Sequence, residues 1–214
     1  MKRIIMVLAA AAFAVSPLAA QSLGMPNWSN PKGGSGITLS GDFAKPNSDL
    51  GEGTAWGARG SFGFGTITLT AGLASWKPSG ASDSYPSIGG QGAFRVIGGS
   101  LMPVALSLQL DGTRVGAANG DSALTRVGLG GAVSVNVPTP GLSIEPWLAV
   151  NNRWYKYSGT SSTESNVAWT LGANVSFGMM GVHLAYDSES LGGGTKGGIF
   201  GIGAHFSLKA PGGL

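Results

Sequence analysis

Ten charged, imidazole or amide side chains fall on the same side of alternating segments: Arg59, Arg95, Gln109, Asp111, Arg126, Glu145, Arg153, His183, Asp187 and His205. Position along the segments sorts them by depth. Asp111, Arg126, Arg153 and Asp187 lie toward one end, Arg59 and Gln109 in the middle, and Arg95, Glu145, His183 and His205 toward the other. Both groups mix signs. Charges confined away from bulk water must pair or find water. Mutual ion pairs filling a narrow space are therefore the first reading, and a polar path for small solutes the second. Glycines and alanines on the same side leave room, which keeps the path open as an expectation.

Catalysis needs tighter groupings than these. His183 and Asp187 share a face four residues apart, about 13 Å along a strand, which is beyond hydrogen-bond reach. An aspartate from another strand could meet His183, and His205 falls beside it on the neighbouring segment. No GxSxG or HExxH motif occurs. Gly192-Gly193-Gly194-Thr195-Lys196 lacks phosphate-loop spacing and leads into a strand, not a helix. Two histidines and no cysteine leave no basis for a metal site or a disulfide. No cofactor and no enzymatic activity are expected.

The elements that position these residues are β-strands. Val167, Trp169, Leu171, Ala173, Val175 and Phe177 alternate with Ala168, Thr170, Gly172, Asn174 and Ser176. Val104, Leu106, Leu108 and Leu110 alternate with Ala105, Ser107, Gln109 and Asp111. Such alternation marks a strand with one apolar and one polar face. Ten segments are predicted: 35–43, 54–64, 66–76, 89–97, 104–111, 122–137, 142–157, 165–177, 182–188 and 198–208. The apolar face collects Val167, Trp169, Leu171, Val175, Phe177, Leu106, Leu108, Val133, Ile202 and Phe206. Pro146 interrupts its segment and predicts a bulge or a strand start. Trp76 has the wrong parity for the apolar face and is assigned to the following loop.

Long polar loops follow the odd-numbered segments, and short charge-free turns follow the even ones. A soluble sandwich has no reason to sort its loops this way. Trp56, Trp154 and Tyr186 fall near the long-loop ends; Phe62, Phe64, Phe177 and Phe206 fall near the short-turn ends.

The amino-terminal end reads as an export signal. Lys2 and Arg3 precede a twelve-residue apolar run, Ile4–Val15, and small residues Ala19-Ala20 precede Gln21. The run is too short to cross a bilayer as a helix. Without Lys2 and Arg3, the 13 basic residues of the chain fall to 11 against 10 acidic ones. The basic balance thus belongs to the signal, and no nucleic-acid partner is indicated. The expected organisation is a signal peptide at 1–20, a periplasmic segment at 21–34, a barrel at 35–208 and a tail at 209–214.

On the signal peptide, the alternation, the loop asymmetry and the final strand Ile199–Leu208, the chain resembles the small bacterial outer-membrane β-barrel proteins. The resemblance covers roughly 37–208. It implies one closed, antiparallel, up-and-down transmembrane barrel of ten strands, with eight as the alternative. It implies outer-membrane lipid around the apolar face and the barrel-assembly machinery as a partner during insertion. In that family an aromatic residue usually ends the chain, whereas here Lys209–Leu214 extend past the last strand. The expected role is structural or passive, porin-like transport of small solutes. A soluble secreted or periplasmic binding module is the competing class, and an outer-membrane hydrolase ranks below both.

Overall fold

Ten antiparallel strands are present among the residues described by the computed structural model, 23–99, 102–116 and 123–209. They are β1 (Gly36–Pro46), β2 (Thr54–Phe64), β3 (Ile67–Lys77), β4 (Tyr85–Gly99) and β5 (Met102–Val115). Then come β6 (Leu124–Val135, continued by Val137–Thr139), β7 (Leu142–Tyr157), β8 (Glu164–Phe177), β9 (Met180–Ser190) and β10 (Lys196–Lys209). Each pairs with its sequence neighbour, and β1 pairs with β10 from Gly36–Lys209 to Pro46–Ile199, which closes the sheet. The eight-stranded alternative is thereby excluded. The signal at 1–20 and the tail beyond Lys209 lie outside the described residues.

The ladder is strongly staggered. Following the register from Gly36 passes Gly63, Thr68, Ala93, Gln109, Gly130, Asn151, Ala168 and Glu189, and reaches Gly197. Gly197 lies two residues beyond the Ile199–Pro46 pair at the far end of β1. One circuit therefore climbs about 12 residues, which gives a strand tilt of about 40° and a backbone radius of about 10 Å. An interior of that width holds more than two layers of side chains meeting at the axis.

Side chains alternate as the pleat requires. Val167 is 59% exposed and Leu171 55%, whereas Ala168 and Thr170 between them are fully buried. Trp169, Phe177, Leu108, Val133, Ile202 and Phe206 are likewise exposed, and Leu106 and Val175 are half-exposed. This inversion, apolar outside and polar inside, is stable where the outer solvent is hydrocarbon. Contiguous exposed apolar surface of this extent is foreign to soluble monomers.

Two local readings are corrected. Trp76 belongs to β3 and faces inward, where its ring covers Gly24 and its Nε1 donates to the Glu52 carbonyl (3.1 Å). Pro146 makes no bulge. The pairs Ser134–Trp147 and Val137–Ile144 share one register, and the ladder opens only between them. Pro146 stands opposite Val135 and has no N–H to give, so the β6–β7 ladder lapses there, while the Asn136 N–H continues the register with β5 on the Pro103 carbonyl (2.6 Å).

Candidate functional site

The lumen is occupied by the chain's own amino-terminal segment. Residues 23–34, expected in the periplasm, instead run inside the barrel, and the chain leaves the lumen at its short-turn end to begin β1. Gly24 lies under Trp76 at the long-loop end. Met25 packs among Ala44, Ala55, Ala74 and Ile199. Trp28 packs at mid-depth among Ala132, Trp147, Ala149 and Ala185. Gly34 reaches Gly63 at the short-turn end, so close that a Cβ on Gly63 would strike the Gly34 carbonyl. An Asn30-Pro31-Lys32-Gly33 turn reverses the segment there, with the Gly33 N–H on the Asn30 carbonyl (2.9 Å). Asparagine first, proline second and glycine last suit a type I turn.

An extended chain inside a closed sheet finds no strand to pair with, yet its buried main-chain groups need partners. Barrel side chains supply them. The Asn27 N–H donates to Asp187 (3.0 Å), and Asn174 donates to the Ser29 carbonyl (3.2 Å). The Lys32 N–H donates to Glu145 (3.2 Å), and Arg95 donates to the Lys32 carbonyl (2.6 Å). Side chains add to this: Gln91 donates to Asn27 Oδ1 (3.2 Å) and Gln109 to Ser29 Oγ (2.5 Å).

The small inward residues are taken up rather than open: Gly57, Gly201 and the alanines around Met25 and Trp28 by this segment, and Gly128, Gly181 and Gly203 by Asp111, His205 and His183 of the barrel itself. A Cβ on Gly201 would lie 2.7 Å from Pro26 Cγ and 2.9 Å from the Trp28 ring. The expectation of a free path along the glycines and alanines is thus overturned. The readable signal was an odd one: fully buried alanines in a polar lumen need an apolar partner, and Met25 and Trp28 lie just ahead of the first strand. Trp147, also inward and missed, fills the space left by Gly172.

Two ionic clusters flank the segment. Toward the long loops, Arg153 donates two hydrogen bonds to Asp187 (2.9 and 2.6 Å) and one to Glu189 (2.7 Å). Glu189 also accepts from Tyr155 (2.6 Å) and Asn166 (2.9 Å), and Asp187 from Thr170 (2.7 Å). Arg126 approaches Asp111 at 4.0 Å and donates to Thr113 (3.5 Å). Near mid-depth, Arg59 donates to Asp42 through Nε (2.7 Å) and Nη2 (3.2 Å), and its guanidinium lies over Trp28. Glu145 accepts from Ser134 (2.6 Å).

Asp42, outside the expected set, orders the histidines. Its carboxylate can only accept, so His183 Nε2 donates to it across 2.6 Å. His183 Nδ1 then accepts from His205 Nδ1 (3.1 Å), and His205 Nε2 accepts from Ser176 Oγ (3.1 Å). Arg59 Nη2, 2.9 Å from His183 Nε2, is held there by its bonds to Asp42. Carboxylate, imidazole, imidazole and hydroxyl stand in the order of a proton relay. However, Ser176 pairs with Ser143 and Gly181 in the ladders on either side, so neighbouring amides are committed to the sheet.

Among the described residues, two cavities share no lining residue. One of ≈ 170 Å³ lies at the long-loop end between Leu23, Trp76, Arg126 and Tyr155. The other, of ≈ 270 Å³, lies at the short-turn end below Trp28 and is lined by Thr38, Ser61, Thr70 and Ser207.

Closure, inverted polarity, staggered tilt and sorted loops define a transmembrane β-barrel of the kind found in bacterial outer membranes. Comparison with solved structures agrees. The beta domain of the Bordetella autotransporter BrkA superposes with a TM-score of 0.53 at 12% identity, over 81% of this chain and 100% of that one. Ail of Yersinia pestis gives 0.35 at 14% identity, over 81% and 99%. Neisserial surface protein A gives 0.36 at 13%, over 81% and 98%. Likeness at this identity is of fold alone. No family model matches the chain, and no curated protein is similar to it in sequence.

Proposed function

We propose that the protein is exported by its amino-terminal signal, resides in the bacterial outer membrane with the long loops outside, and serves there as a closed, structural barrel. The observation that carries this reading is the provision of barrel side chains for the main chain of Asn27–Lys32. A loosely lodged segment would not have its amides and carbonyls individually matched. Met25 and Trp28 in alanine-lined sockets add apolar burial on the barrel axis. Passive solute transport loses its support once the inward glycines are seen to be filled.

The test is conductance in planar lipid bilayers. The wild-type protein is expected to stay at background, and a variant lacking 23–34 to conduct. An open wild-type channel would overturn the reading, as would a deletion variant that folds and remains closed.

A further inference from the structure

We infer that this barrel carries its own amino-terminal segment up to the cell surface, so that the chain stands at the outer mouth at Leu23 and Gly24. The inference rests on the closed-lumen reading and adds direction to it. From the periplasmic end of β1 the chain runs backward up the lumen: Gly34 beside Gly63, Lys32 between Glu145 and Arg95, Trp28 at mid-depth, Met25 among outer-end alanines. It arrives at Gly24 against Trp76, whose indole is tied to the outer loop at Glu52. Leu23 lines the outer cavity beside Leu50, Leu191 and Tyr157, all in or bordering outer loops.

Passage in this direction is chemically easy. Between Gln21 and Ser35 the only charged side chain is Lys32, and Lys32 stops near the periplasmic end. Above Lys32 the side chains are neutral, and the one charge that travels further is the α-ammonium left by signal cleavage, which passes the carboxylates of Glu145, Asp42 and Asp187 on the lumen wall. The hydrogen bonds at Asn27, Ser29 and Lys32 then fix the segment, which makes presentation a static property of the fold.

The native chain has no cysteine, so single thiols report position cleanly. Ser22→Cys, Asp83→Cys in an exposed outer loop and Met179→Cys in an exposed periplasmic turn are treated on cells with a maleimide on a polymer too large for porins. The expected result is that Ser22→Cys labels on intact cells to the same extent as Asp83→Cys, while Met179→Cys labels only after the outer membrane is permeabilised. Labelling of Ser22→Cys only after permeabilisation would overturn the inference, as would protection in both states. Conductance separates the two ideas: a closed wild-type barrel with a periplasmic thiol loses presentation alone, and an open wild-type barrel loses the closure itself.

Discussion

Arg153 shows what single residues do in this lumen. It is 2% exposed and makes three hydrogen bonds to Asp187 and Glu189, both also buried. Removing one partner of a buried ion pair leaves uncompensated charge, at a cost of about 3–5 kcal/mol. Arg153→Met should therefore lower the free energy of unfolding from lipid vesicles by about that amount, two carboxylates being stranded at once. Denaturant titration followed by the heat-dependent shift in gel mobility would measure it, and a loss no larger than that of an exposed loop substitution would refute the assignment. Alternation in the sequence was enough to place Arg153 and Asp187 on one face. It did not name partners, because those come from strand registers that no local pattern encodes. His183 illustrates this: its carboxylate, Asp42, is 141 residues away in the chain and joins it only because β1 closes on β10.

Elements carry the membrane argument. The outward row of β8 has to lie in hydrocarbon, where a guanidinium at mid-depth costs about 2–4 kcal/mol and much less near the interfaces. Leu171→Arg should lose about that much folding free energy, whereas Phe177→Arg, at the turn end, should lose about a quarter of it or less. Equal losses at both depths would contradict a lipid-facing row. The aromatic residues fit the same depth profile: Phe43 packs on Trp56 and Trp169 on Tyr186 near the long loops. Nearly all of this was legible in the sequence, since period-2 alternation and loop length are local signals. The exceptions are instructive. The proline in β7 was visible, but not that it would open the facing ladder without shifting register. The segment 23–34 carries no strand pattern and reads as a periplasmic segment, because it is stabilised by side chains of all ten strands and not by periodicity of its own.

At the scale of the whole molecule, stagger decides what the interior must do. A ten-stranded barrel with a radius of about 10 Å leaves space that ionic side chains alone do not fill. The chain fills it with its own amino-terminal segment, matched by alanines and glycines at the wall and by donors and acceptors at Asp187, Asn174, Glu145 and Arg95. The most direct measurement is covalent. In the cysteine-free chain, Ser29→Cys and Gln109→Cys replace side chains that touch at 2.5 Å, and a short thiol-to-thiol cross-linker is applied to the protein folded in lipid. Mass spectrometry of the digested protein should find residues 29 and 109 joined in one peptide pair, with no such link when the protein is unfolded first. Absence of the link in the folded barrel, with both thiols reactive, would contradict an occupied lumen.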